Sequence, residues 1–189
     1  MNVMKNCLSC ILLFSLLLGC TAKTPTYKEV VRTYYQARDH RDYDALKKVV
    51  GDSITIVEGD YAMPYSKASF HEQLKWDSIF RPSYTLLQLE EEEQQLIATV
   101  RITSLRNQFL KNEAMTCTYR IGFSSEKITS ITTMDCQGVN WEVWEAQRDS
   151  LVQWIAKNHP ELDGFVYDMS MQGALNYMAA IALYTRKSD

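Results

Sequence analysis

Histidine is scarce. Only His40, His71 and His159 occur in the 189 residues, and none stands at metal-ligand spacing from another histidine or a cysteine, which argues against a zinc centre. The chain also lacks a glycine-rich phosphate loop, a Gly-x-Ser-x-Gly elbow and a His-Glu-x-x-His pair. Nucleotide binding, nucleophile-elbow hydrolysis and zinc proteolysis therefore have no sequence support, and no cofactor is expected. A Ser-His-Asp set can be drawn from any part of a chain, and nothing in this one points to it. Basic residues do not dominate: 20 Lys and Arg face 23 Asp and Glu, a formal net charge of −3. Without a basic tail, nucleic acid is not an expected partner. Internal repeats and low-complexity linkers are missing, and only the N-terminus carries a long apolar run.

That run lies within Met1 to Gly19, where the single charge Lys5 precedes Leu8 to Leu18. It is shorter than the ~20 residues that span a bilayer, so it reads as a targeting segment. Its end, Leu17-Leu18-Gly19-Cys20, resembles a bacterial lipobox. The resemblance implies that residues 1–19 are a signal peptide, that Cys20 is lipidated as the mature N-terminus, and that the address is the bacterial cell envelope, facing the periplasm or the cell surface. Residues 20–25 form a tether, and 26–189 are expected to form one domain, with a helical extension at 140–186.

Thr26-Tyr27-Lys28-Glu29 has capping-box spacing, predicting a helix from Tyr27 to about Arg38 with the stripe Val30, Val31, Tyr34 and Ala37. Asp42 caps a second helix through Val50, which Gly51 is placed to end. Ser53–Val57 and Tyr61–Tyr65 form a hairpin around Gly59-Asp60, and Ser66 caps a third helix reaching Phe80, stopped by Pro82. From Ser83 to Cys136 the alternation is that of an antiparallel meander with one apolar face. A turn at Glu91–Gln94 sets Leu89 against Leu96, Leu87 against Ala98 and Thr85 against Val100. The connection around Asn107–Asn112 then sets Ile102 against Tyr119, Val100 against Ile121 and Ala98 against Phe123. Tyr84, Leu86, Arg101 and Arg120 fall on the other face. Helices, a hairpin, another helix and a meander make an α+β order.

Tyr27-x-x-Val30-Val31-x-x-Tyr34-Tyr35, Asp42-Tyr43-Asp44-Ala45-Leu46, Ile54-Thr55-Ile56 and the four-strand finish resemble the NTF2-like superfamily, which includes SnoaL-like proteins and ketosteroid isomerase. The resemblance covers Tyr27 to Cys136 and implies a cone: a curved antiparallel sheet packed on N-terminal helices. That superfold hosts enzymes and binding modules alike. Beyond it, Asn140 caps a helix carrying Trp141, Trp144, Leu151, Val152 and Ile155, and a last helix from about Ser170 to Arg186 carries Met171, Ala174, Leu175, Met178, Ile181 and Ala182 on one face. Trp154-Ile155-x-x-Asn158-His159-Pro160-Glu161-Leu162-x-Gly164-Phe165 is similar to the ending of NTF2-like lipoproteins of Bacteroidota. So much apolar surface is expected to pack on the cone, closing its mouth or covering the face that bears Arg101 and Arg120.

The resemblance makes Glu58 and Asp60 the candidate catalytic pair, since carboxylates at the first hairpin would project into the cone where ketosteroid isomerase keeps its base; burial would raise such a carboxyl toward neutral pH. Ordinary turn chemistry around Gly59 explains the same residues. Under the register above Arg101 opposes Arg120, a repulsion that an anion or carboxylate would relieve. Tyr34 and Trp76, with Tyr35, Phe80, Trp141 and Trp144, are candidates to line a ligand cavity. Cys117 and Cys136 face each other if the last hairpin loop is Ser125–Ile128, whereas with Ser124–Lys127 Cys117 faces Met134 and the cysteines lie diagonally. The favoured expectation is a non-enzymatic lipoprotein binding a small molecule or an envelope protein, with a homodimer as a further candidate assembly. The alternative is a small isomerase, dehydratase or hydrolase using a carboxylate in the cone.

Overall fold

The computed structural model describes residues 25–92 and 95–186. The signal segment and Cys20 lie outside them. The chain runs α1 (Tyr27–His40), α2 (Tyr43–Val49), β1 (Val50–Glu58), β2 (Tyr61–Ser66), α3 (Lys67–Ser78), β3 (Ser83–Glu92), β4 (Gln95–Thr103), α4 (Leu105–Phe109), β5 (Met115–Ser124), β6 (Lys127–Gln137), α5 (Trp141–Asn158), a 3-10 turn (Pro160–Leu162) and α6 (Met171–Arg186). It is an α+β fold. One curved sheet in the order β2-β1-β6-β5-β4-β3 wraps against α1, with β1 and β6 its parallel pair.

The Thr26 hydroxyl accepts from the Glu29 N–H, the Glu29 carboxylate accepts from the Thr26 N–H, and together they start α1. Its spacing then turns Val30, Val31, Tyr34, Tyr35 and Ala37 toward Leu96, Ala98, Val100, Ile121 and Ile128 of the sheet, all buried. Asp42 caps α2 by accepting from Ala45. Gly51 does not end that helix: it lies within β1, because Val50 already takes up extended backbone. Gly59 has φ 57° at the first central position of the β1–β2 turn, the place where a two-residue hairpin needs glycine. Ser66 caps α3, which ends at Ser78, short of Phe80.

The meander keeps its apolar face but not the expected partners. β3 and β4 pair as Leu89↔Ala98 and Glu91↔Leu96, and a bulge at Leu87 then gives Leu86↔Val100 and Tyr84↔Ile102. Leu87 is therefore not beside Ala98; it points to solvent, 54 % exposed. Tyr84 and Leu86 turn to the core in its place. Between β4 and β5 the partners are Ile102↔Met115, Val100↔Cys117, Ala98↔Tyr119 and Leu96↔Ile121. Ile102 does not lie beside Tyr119: the register is four residues away from the expected one. An even slip leaves every side chain on its face, so alternation does not detect it. The β5–β6 loop pairs Ser124 with Lys127, yet two later irregularities bring Cys117 opposite Cys136, and these are joined by a disulfide.

A second core sits at one end of the cone, formed by Trp76 and Phe80 with Leu151, Ile155, Phe165, Ala174, Tyr177 and Ala180. The C-terminal helices thus pack onto the cone by way of α3. The buried stripe of α6 runs through Gly173, Ala174, Tyr177 and Ala180, not through Met171 and Leu175, which are about half exposed. Gly173 is needed because a β-carbon there would run into the Asp168 carbonyl and side chain. Trp141, at the start of α5, is also exposed.

Truncation after Gln137 would uncover Trp76 and Phe80, now 5 % and 1 % exposed, and each large side chain is worth about 1.5–3 kcal/mol when buried. We expect the truncated chain to aggregate or to lose its cooperative thermal transition. A truncated chain that melts like the full one would show that the extension is an independent unit.

Candidate functional site

Between the sheet, α1, α3 and the C-terminal helices lies a cavity of about 370 Å³, within the size range of small-molecule sites. Tyr34, Tyr35 and Arg38 line it from α1, Gln73, Trp76 and Asp77 from α3, Tyr84, Ile102, Tyr119 and Thr133 from the meander, and Trp144, Val166, Met169 and Tyr177 from the extension. Two of its lining residues, Glu58 and Met169, are exposed. A shallower depression of about 140 Å³, edged by Tyr43, His71 and Pro82, shares Arg38 and Asp77 as part of its wall.

The polar centre of the large cavity is an ion pair. Arg38 Nη2 donates to Asp77 Oδ2 at 2.8 Å and also to the Tyr84 hydroxyl, while Arg38 Nη1 donates to Tyr34 Oη at 3.0 Å. Tyr84 Oη in turn donates to Asp77 Oδ2 at 2.7 Å. Asp39, one residue further along α1, accepts from the Tyr84 N–H and the Ser83 hydroxyl, both at 2.8 Å. These hydrogen bonds, with the Tyr84 one first and a little burial against them, hold its carboxyl below the usual range. Burial pushes the Tyr35, Tyr84 and Tyr119 hydroxyls well above their ordinary values, so at neutral pH they are uncharged donors and acceptors.

The expected site residues divide. Tyr34, Trp76 and Glu58 line the cavity, as do Tyr35 and Trp144. Asp60 stays exposed at the turn and is not among the lining residues. Phe80 is fully buried in the second core. Arg101 and Arg120 are not opposed: Arg101 faces Thr116, Arg120 faces Ile97, and both are exposed. The four-residue slip that separates them is about 13 Å along a strand, which removes the repulsion that suggested an anion between them. His40 is exposed, His71 meets the Tyr43 ring edge-on, and His159 pairs with Glu161 at 3.2 Å, and no histidine lines the large cavity. Among the described residues no group of three or more His, Cys, Asp or Glu is placed to hold a metal, and no helix is long and apolar enough to cross a membrane.

Sequence reasoning missed Arg38, Asp77, Tyr84 and Tyr119, and also Arg106 of α4, another lining residue of the cavity. Arg38 and Asp77 had a signal: Arg38 follows Tyr34 by four on the apolar stripe of α1, and Asp77 follows Phe70 by seven on α3, so each is a charge on a core-facing stripe. Tyr84 had none, because the bulge at Leu87 decides its face.

No family model and no curated protein matches the chain. Solved structures do. A protein from Acidithiobacillus ferrooxidans, provisionally assigned as a polyketide cyclase, matches at 13 % identity over 67 % of this chain and 96 % of its own, with TM-score 0.52. An uncharacterised cystatin-fold protein from Novosphingobium aromaticivorans matches at 9 % identity over 59 % and 100 %, with TM-score 0.50. An NTF2-like protein of unknown function from Cytophaga hutchinsonii matches at 12 % identity over 60 % and 92 %, with TM-score 0.49. At these identities the likeness is one of fold. The fold these structures share with the chain is an α+β cone, one curved sheet closed on helices.

The ion pair gives a direct test. Arg38→Met and Asp77→Leu each strand a buried charge, and each is expected to lower unfolding free energy by about 3–5 kcal/mol. The double variant should lose less than the two singles together. Denaturant melts of all four proteins measure this, and simple additivity would show that the pair is not coupled.

Proposed function

We propose that this chain is an envelope lipoprotein whose cone binds a small, largely apolar molecule without converting it. The observation that carries the reading is the cavity itself: residues that would fill a solid core are replaced by a ring of neutral tyrosines around an ion pair already satisfied within the protein. Such a wall offers apolar surface with a few hydroxyls to orient a ligand. Asp77 is committed to Arg38 and Tyr84, which makes it a poor free base. Support for the address comes from the lipobox-like Leu17–Cys20 sequence and from the Cys117–Cys136 disulfide, a bond that persists in oxidising compartments. In this reading the membrane is met through lipid on Cys20, and an envelope protein or a second copy of the chain is a further partner.

One observation favours the enzymatic reading. Glu58 lines the cavity, close enough to Tyr65 and Tyr119 for its charge to add to the rise that burial gives their hydroxyl pKa values. A carboxylate beside two neutral hydroxyls could act as base and hydrogen-bond donors in an isomerase or dehydratase.

Native mass spectrometry of the protein purified from its own envelope separates the readings. Binding alone gives a retained small molecule that Thr133→Trp, which sets an indole into the cavity, removes, and that Glu58→Gln leaves unchanged. Catalysis by Glu58 gives a different retained compound in Glu58→Gln, by mass or chromatographic retention. A wild-type protein as empty as Thr133→Trp would overturn the binding reading. For the anchor, Cys20→Ser should move the chain from the membrane fraction to the soluble one; a variant that stays membrane-bound would overturn it.

A further inference from the structure

Two arginines line the cavity, and they are held in opposite ways. Arg38 is satisfied by Asp77, Tyr34 and Tyr84. Arg106, on α4, takes part in none of the ion pairs among the described residues. Its Nε is buried with no hydrogen-bond partner. The guanidinium instead lies 4.8 Å from the Trp76 ring centre and 5.1 Å from that of Phe80. A cation–ring contact of this kind is electrostatic and supplies no hydrogen-bond acceptor to the Nε donor.

The mount is rigid. Trp76 Nε1 donates to the Asp168 carbonyl at 3.2 Å, which fixes the ring under Arg106. The Ser104 hydroxyl accepts from Asn107 N–H at 3.0 Å, which fixes the turn that carries it. One helical turn before Trp76, Gln73 lines the same cavity, and its Oε1 is buried and unpartnered. A donor and an acceptor left unmade among the cavity's lining residues are what a bound ligand would complete.

The cavity also has two electrostatic ends. Burial raises the hydroxyl pKa of Tyr65, Tyr119 and Tyr177 alike; the Glu58 charge adds to that rise at Tyr65 and Tyr119, whereas Arg106 and then Arg148 oppose it at Tyr177. Arg148 is paired with its neighbour Asp149 at 2.7 Å. Among the described residues lining the cavity, Arg106 is therefore the cation without an ion-pair partner, at the end where the C-terminal helices meet the cone and away from the Glu58 end.

We propose that Arg106 is the anion-binding residue of the cavity, and that the ligand is an amphipathic acid whose apolar body occupies the tyrosine-lined cone and whose carboxylate or similar anionic head pairs with Arg106. This rests on the cone being a binding site. It deepens that reading by naming the class of ligand.

Two fluorescent probes with the same ring system test it on the full chain: N-phenyl-1-naphthylamine, which is neutral, and 1-anilinonaphthalene-8-sulfonate, which carries an anion. We expect wild type to bind the sulfonate more tightly than the amine. In Arg106→Met sulfonate affinity should fall about tenfold, one lost ionic contact by the usual conversion, with the amine unchanged. Arg106→Lys, which keeps the charge and the stem, should retain most of the sulfonate preference and covers the case in which Arg106→Met unfolds, as judged by near-ultraviolet circular dichroism. Equal binding of both probes by wild type, or an equal loss of both in a folded Arg106→Met, overturns the role of Arg106 while the cavity stands. Failure of wild type to bind either probe overturns both.

Discussion

The contact between Arg38 and Asp77 ties together the three elements that frame the cavity. Arg38 comes from α1 and Asp77 from α3, and the hydroxyl that bridges them, Tyr84 Oη, comes from β3. Neither charge can be left alone at their degree of burial. The side chains on either side are thus held apart at fixed spacing rather than free to collapse inward. A cone bounded by aliphatic residues alone would close up to satisfy packing. This one keeps a space because its wall carries groups already hydrogen-bonded to each other.

Trp76 passes that constraint to the rest of the molecule. Its ring belongs to the second core, beside Phe80, while the same residue lines the cavity. Its indole N–H holds the Asp168 carbonyl, and the loop at Asp168 can lie that close to α6 only because position 173 is glycine. The extension is consequently part of the site. Trp144, Val166, Met169 and Tyr177 provide wall that the cone alone does not have, and they do so at the end where Arg106 stands.

Much of the fold was legible in the chain because its signals are local. Thr26 with Glu29, Asp42, Ser66 and Asn140 are caps that the structure uses as such, and the alternation of Leu96, Ala98 and Val100 places one sheet face correctly. Register was not legible. A period of two is blind to a shift of four, and the bulge at Leu87 has no local sequence mark, so Ile102 and Tyr119 were paired in error and Tyr84 was set on the wrong face. The site suffered accordingly: Arg101 and Arg120 rested on that register, while Tyr34, Trp76 and Glu58 rested on the general shape of a cone and do line the cavity. On α6, Met171 and Leu175 looked like core by hydropathy, but the close approach at Gly173 rotates the buried stripe to Ala174, Tyr177 and Ala180.

Ligand held inside the cone would sit between the Arg38–Asp77 pair and the C-terminal helices. Amide hydrogen exchange of the full chain with and without saturating N-phenyl-1-naphthylamine tests this placement most directly. Added protection is expected in α3 around Gln73–Asp77, in α4, and in the segment from Val166 to Tyr177. Protection confined to the exposed strand positions around Arg101 and Arg120, with those regions unchanged, would contradict it.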